Sequence, residues 1–408
     1  MQRNKFLLFA FILMPMIMKA QHPFRYDNTD YKAIYLNEAF QLMDTMQNFL
    51  LLDVRSPGEY ADTSRATALN IGRFKGSVNI SIDSIHAHME ELRKYKDQPI
   101  FIYCSHSQRS RRVSKLLADS GFLKVYNING GMTLVNEYDN KQFPYKNKML
   151  VTHTSYKNIA SMDAFNLIQD KPDLLIIDIR SEQEFAGKDS LKQNNIGQLK
   201  NAINIPQALF TEKLISFHFA NTRPVLLYDL RGVNSMDVVE LLRARGFTRI
   251  YNLFGGLEDF ICDHALMENG FNPLIADPPS WRMLDTKAFI DLLSERQNLV
   301  ILDARTIEEF NNTSTPAYRN LGRIKGAIHV SSLDTLEKIV EQQEKSTRFL
   351  VYGSNKDFGY LVCQALMNQG FRQVNFLSQG FYEFVWSTAN VENCKTGRAF
   401  LINHEGLY

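Results

Sequence analysis

The chain of 408 residues is 45% apolar and 22% charged, with only 12 Pro and 21 Gly, a composition that excludes disordered, collagen-like and low-complexity classes. At roughly 100–200 residues per domain it should hold two to four domains, and four cysteines are too few for a disulfide scaffold. The formal charge is +2, but Arg3, Lys5 and Lys19 lie in a stretch without acids; 46 basic side chains less these three leave 43 against 44 acidic ones, so nothing in the electrostatics calls for nucleic acid or an anionic membrane as partner. Small molecules or other proteins are the expected partners.

The N-terminus combines Arg3 and Lys5 with an unbroken run of apolar residues and Pro over 6–18, followed by Lys19-Ala20-Gln21. This is the pattern of a secretory signal peptide over residues 1–20. The run is short for a bilayer-spanning helix, which needs about 20 residues, so an uncleaved anchor is the lesser reading. Cleavage after Ala20 would leave a mature chain with no membrane span, periplasmic or secreted, in an oxidising setting.

From residue 51 onward one pattern occurs three times. It opens with a strand ending in an acid, Leu51-Leu52-Asp53-Val54-Arg55, Ile176-Ile177-Asp178-Ile179-Arg180 and Ile301-Leu302-Asp303-Ala304-Arg305. A Ser or Thr and an acidic-aromatic pair follow (Glu59-Tyr60, Glu184-Phe185, Glu309-Phe310), which reads as a capped helical turn. The blocks 72–80, 197–205 and 322–330 end in a second short strand, and the apolar runs 100–103, 225–228 and 349–352 read as buried parallel strands. A helix comes next; in the first copy it carries Val113, Leu116 and Leu117 on one face and stops at Gly121. The last strands, 125–128, 250–253 and 374–377, run into Gly130-Gly131, Gly255-Gly256 and Gln379-Gly380.

Strands alternating with helices at this spacing predict an α/β fold, three tandem domains each with a mostly parallel sheet covered by helices on both faces. The expected divisions are 1–20 for the signal peptide, then 27–150, 151–276 and 277–408. Each repeat is large enough for its own core, unlike a solenoid unit, so beads with interfaces are expected, not a superhelix.

The repeats differ in the loop after the apolar run, and ligands bind at the carboxyl ends of parallel strands. The loops read Cys104-Ser105-His106-Ser107-Gln108-Arg109-Ser110, Asp229-Leu230-Arg231-Gly232-Val233-Asn234-Ser235 and Gly353-Ser354-Asn355-Lys356-Asp357-Phe358-Gly359. Only the first carries a nucleophile. A cysteine between a buried strand and a helix N-terminus meets unpaired backbone amides and the positive end of the helix dipole, which favour an anionic sulfur. Arg109 can curl back over such a loop to bind a substrate oxyanion, or pair with a surface carboxylate; Ser107 and Ser110 add hydroxyl donors. His106 reads as a loop side chain facing solvent, with donor binding or proton transfer as its functional alternative.

The Asp-Val-Arg strand, the Gly-x-x-x-Gly-x-x-Asn-Ile block, the Tyr-Cys-x-x-x-x-Arg-Ser loop and the terminal Gly-Gly together resemble the rhodanese family of sulfurtransferases, over nearly the whole mature chain. The resemblance implies three rhodanese-like modules in which Cys104 takes a sulfane sulfur from thiosulfate, polysulfide or a persulfide and passes it to a thiol or protein acceptor. By the same resemblance Arg109, with Ser105, His106, Ser107, Gln108, Ser110 and their amides, binds the small anionic donor, and no cofactor or metal is required. Four residues separate Cys104 from Arg109; related phosphate- and arsenate-handling modules have five. Ser107 stands where the family often has Gly. The second and third modules, with Asp229 and Gly353 in place of the cysteine, then read as inactive. A non-catalytic scaffold or redox sensor built from the same modules is the alternative.

Asp53 and Arg55 recur in the copies that lack the cysteine, so a structural role is expected of them, as for Glu59. Cys363 reads as a core residue, and a disulfide between Cys262 and Cys394 stays open. The cysteines and histidines match no zinc pattern, and no phosphate loop, hydrolase triad or dinucleotide fingerprint occurs.

Overall fold

The computed structural model describes residues 30–404 except 217–218, 269–271, 296–297 and 355. The expected signal peptide lies outside the described residues. Among these, no helix is long and apolar enough to cross a membrane.

Each repeat forms a five-stranded, all-parallel sheet. In the first, the order across the sheet is Lys32–Ile34, Val125–Ile128, Ile100–Tyr103, Leu50–Asp53, Val78–Asn79. The second and third sheets repeat that order around Val225–Tyr228 and Arg348–Tyr352. The central strands are apolar at successive positions because both faces are covered. Phe101 and Tyr103 enter one core with Phe40 of helix Leu36–Asp44 and Met132 of helix Gly131–Glu137. Ile100 and Ile102 enter another with Val113 and Leu117 of helix Gln108–Asp119. Burying one such side chain stabilises the fold by roughly 1.5–3 kcal/mol, and alternation along the strand divides that gain between the two faces. Helix Leu36–Asp44 buries Leu36, Ala39, Phe40 and Met43, the spacing of a single helical face.

The capped turns form as expected. Ser56, Ser181 and Thr306 each accept from the amide three residues on, and Glu59, Glu184 and Glu309 reach back to the cap. Asp53, Asp178 and Asp303 grip Arg55, Arg180 and Arg305, and each arginine donates to the carbonyl of Gly72, Gly197 or Gly322. The grip occurs identically in all three modules, so these pairs tie the first strand to the glycine block.

Each module also closes on itself. Strands Leu150–Val151, Ile275–Ala276 and Leu401–Ile402 run antiparallel to Arg73–Phe74, Gln198–Leu199 and Arg323–Ile324. A division between residues 150 and 151 would cut the first of these pairs. The modules are packed, not beaded on linkers: one continuous core holds Leu226, Phe260 and Ile275 of the second module with Trp281, Leu302 and Phe349 of the third. All three modules wall a cavity of ≈ 530 Å³, including His106, Val233 and Glu383.

Candidate active site

The strand Ile100–Tyr103 delivers Cys104 to the carboxyl edge of the first sheet, between strands Leu50–Asp53 and Val125–Ile128. Its side chain is buried, 1% exposed. Two backbone bonds fix the start of the loop: Met132 N–H donates to the Cys104 carbonyl at 3.0 Å and Thr133 N–H to the Ser105 carbonyl at 3.1 Å. That contact requires Gly131, because a Cβ there would sit 2.2 Å from the Cys104 carbonyl oxygen. With those carbonyls held back, the amides of the loop turn the other way. The first helical bond from the loop is Arg111 N–H to Ser107 O, 3.0 Å, which leaves the preceding amides at the helix N-terminus for a ligand.

The second module shows what this backbone holds. At the Cys104 position stands Asp229, and its carboxylate accepts from the amides of Arg231 (2.7 Å), Gly232 (2.5 Å), Asn234 (2.5 Å) and Ser235 (2.9 Å). Leu257 and Glu258 hold the carbonyls of Asp229 and Leu230, as Met132 and Thr133 do in the first module. Gly232 has φ +72° and Ser107, three residues past Cys104 as Gly232 is past Asp229, has φ +74°. The loop is therefore an anion cradle, filled in the second module by its own carboxylate. The corresponding amides of the first module belong to His106, Ser107, Arg109 and Ser110.

The remaining loop side chains take partners within the protein. Ser107 pays for its left-handed backbone with a bond from Gly130 N–H to its Oγ, 2.7 Å. Ser110 Oγ donates to the Ser107 carbonyl, 3.1 Å, and Gln108 Nε2 to Tyr382 Oη, 3.2 Å. The two hydroxyls expected to face a substrate are thus directed into the loop, because buried polar groups take the nearest partner. Arg109 is anchored at both nitrogens: Nη1 and Nη2 clamp Glu59 at 2.6 and 2.7 Å, and Nη2 also donates to Ser105 Oγ of the loop at 2.9 Å. This is the carboxylate pairing that the sequence left as the alternative, although the carboxylate is buried. Burial pushes the Glu59 carboxyl up, but the Arg109 and Ser56 hydrogen bonds outweigh it and hold it at about 2. The Arg109 guanidinium is raised by its hydrogen bonds to Glu59, against the opposing effect of burial.

His106 faces the cavity between the modules, with Nε2 3.0 Å from Thr133 Oγ1. Surrounding protein, then the Arg109 charge, lowers its pKa. The same cavity is walled by Glu137 and Asp259, both raised by burial, Asp259 to about 7.

The third loop differs again. Ser354 Oγ donates to Glu309 at 2.6 Å, taking the role that Arg109 has toward Glu59, and Phe358 at the arginine position packs against the shared core. Cys363 is fully buried, as expected. Cys262 and Cys394 are free thiols lining one cavity of ≈ 140 Å³, both raised by burial, Cys394 to about 12.

Trp386 and Tyr382 of the third module touch the first loop, Asn390 meets Arg111 and Gly130 beside it, and sequence reasoning missed all three. No local pattern marks a contact that spans about 280 residues of chain; only the helical spacing of 382, 386 and 390 hinted at a shared face.

Comparison with known proteins agrees with the repeat. The family model described as a rhodanese-like domain matches residues 36–138, 161–261 and 285–386. A thiosulfate sulfurtransferase GlpE of Coxiella burnetii (strain RSA 331 / Henzerling II) is 31% identical over 117 residues, 29% of this chain and 98% of that protein. Another GlpE, from Pseudoalteromonas translucida (strain TAC 125), is 31% identical over 103 residues, 25% of this chain and 87% of that protein. Among solved structures, a thiosulfate sulfurtransferase from Pseudomonas aeruginosa is 14% identical with a TM-score of 0.23, covering 85% of this chain and 66% of that one.

Proposed function

The chain belongs to the rhodanese-like domain family of sulfurtransferases, and from that premise we propose that it moves a sulfane sulfur through a persulfide on Cys104, in the first module alone. The observation that carries this reading is the cradle: four amides gather a carboxylate in the second module, and the first module repeats that loop's carbonyl bonds and left-handed turn with a cysteine in the carboxylate's place.

The chemistry follows from that placement. The Cys104 thiolate attacks the outer sulfur of thiosulfate; the new S–S bond forms as the old one breaks, and sulfite leaves with the bonding pair. The amides of residues 106, 107, 109 and 110 stabilise the anionic terminal sulfur of the persulfide, as oriented donors do for developing charge. An acceptor thiolate then attacks that terminal sulfur, and the Cys104 thiolate departs. Arg109, held by Glu59 and Ser105, supplies positive charge beside the cradle without filling it. A polysulfide or a persulfide serves as donor by the same displacement.

Asp229 and Gly353 offer no thiol, and Asp229 already neutralises its own cradle. The apolar run at 6–18 supports an extracytoplasmic setting, checked by N-terminal sequencing of protein recovered from periplasm or medium, which should begin at Gln21.

Intact-protein mass spectrometry of the reduced chain, residues 21–408, after thiosulfate or polysulfide tests the proposal. A gain of about one sulfur atom, mapped to Cys104 and absent from Cys104→Ser, is expected. No gain with any sulfane donor would turn the reading to the non-catalytic scaffold, whose partner binding should survive Cys104→Ser.

A further inference from the structure

The third module's last long helix, Gly380–Asn390, lies directly on the Cys104 loop. Tyr382, Trp386 and Asn390 form one face at four-residue spacing. Trp386 Nε1 donates to the His106 carbonyl, 3.3 Å, and its ring meets the His106 imidazole edge to face, 6.4 Å between centroids. Asn390 Oδ1 accepts from Arg111 Nη2 at 2.9 Å and from Gly130 N–H at 3.4 Å, the amide that also binds Ser107 Oγ. Asn390 Nδ2 returns to the Trp386 carbonyl, 2.8 Å, and Asn129 Nδ2 reaches the Ala389 carbonyl, 3.3 Å. Trp386 and Asn390 are buried.

These bonds act on one peptide unit. In a trans peptide the C=O and N–H point in opposite directions, so holding the His106 carbonyl toward Trp386 turns the Ser107 N–H away from it. The counterpart amide in the second loop, that of Gly232, is aimed at the Asp229 carboxylate. Ser107 needs such a hold: its left-handed φ of +74° is costly for a residue with a Cβ, and rotation of the 106–107 peptide would relieve it while removing one donor from the cradle.

We propose that the third module completes the Cys104 site, with Trp386 as a positioning residue that locks the His106–Ser107 peptide so that the Ser107 amide faces the sulfur, and with Asn390 bracing the turn behind it. This gives a catalytically silent module a direct part in the reaction of the first, and it rests on the sulfur-transfer reading above.

The test compares wild type, Trp386→Phe, Asn390→Ala and the control Trp281→Phe, which makes the same exchange in the core between the second and third modules, all in the chain 21–408. Trp386→Phe keeps a buried aromatic ring but removes the N–H donor together with part of the indole, a loss of volume that Trp281→Phe reproduces. At saturating thiosulfate, its rate of persulfide formation should fall about tenfold, a fraction of the loss typical for deleting a donor outright, with the donor KM changed less than about twofold and thermal stability close to wild type. Trp281→Phe should leave the rate unchanged. Hydrogen exchange in the segment 104–111 should quicken in Trp386→Phe and Asn390→Ala but not in Trp281→Phe. Unchanged kinetics and unchanged exchange in Trp386→Phe would overturn the proposal. If wild type forms no persulfide at all, the sulfur-transfer reading falls while the exchange data still decide whether Trp386 holds the loop.

Discussion

The loops beginning at Cys104 and Asp229 have one backbone design and opposite contents. Both follow a buried strand, both tie their first two carbonyls to the helix that follows the next strand, and both turn through a left-handed residue at the fourth position. The Asp229 carboxylate closes the second loop with four amide bonds, whereas the first carries a cysteine at that position. The difference teaches that a loop backbone alone can gather a carboxylate, while a single side chain decides whether a carboxylate or a thiol stands there.

The sharpest way to break that comparison is to write the second loop into the first. Cys104→Asp should abolish sulfur transfer, by at least about 10³-fold as for loss of a nucleophile, yet leave the melting temperature equal or higher because the carboxylate finds the same amides. A variant that unfolds would mean that the first loop is not an anion cradle. The converse change, Asp229→Ala, should destabilise the second module by about 2–4 kcal/mol, since several charge-assisted bonds vanish and buried amides lose their acceptor. Chemical denaturation followed by hydrogen exchange over 229–235 reads this out, and sulfur transfer should change little.

Arg109 sharpens the contrast, because Asn234 stands at its place in the second loop. Arg109→Gln should slow persulfide formation about 10- to 100-fold, the scale of losing one electrostatic stabiliser. The same pair predicts an acid response. Glu59 is depressed from an ordinary 4.5 to about 2 in the folded chain, so its stabilising contribution is complete above about 4.5 and is lost as pH falls from there toward 2. Thermal melts across that window should show the loss in wild type and a smaller one in Arg109→Gln; equal slopes would contradict the assignment. The smallest effect is expected from Ser107→Gly, which makes the fourth position match Gly232. Relief of the left-handed strain opposes loss of the Gly130 bond, and stability should move by less than about 1 kcal/mol. A larger loss in urea unfolding would mean that the hydroxyl, more than the backbone, holds the loop.

Much of this was legible in the chain. Three Asp-x-Arg strands, three capped turns and three apolar runs each depend on contacts within a few residues or on simple alternation, and each forms where the pattern put it. The seven loop residues 104–110 were equally visible as a set, but their directions were not. Ser107 and Ser110 turn inward and Arg109 clamps Glu59, fifty residues earlier in the chain. A side chain's partner is decided by which groups burial leaves unsatisfied, and that depends on the whole fold.

The sequence by itself determined the three α/β modules, their strand and helix order, and which loop carries a thiol, because periodicity and turn chemistry are local and repeat with the chain. Only the tertiary structure decided that Asp229 fills its own cradle, that Glu59 takes Arg109, and that Trp386 and Asn390 of the third module brace the first. Hydrogen-bond geometry and burial are properties of surfaces brought together by packing, and residues hundreds of positions apart carry no mark of it in their spacing.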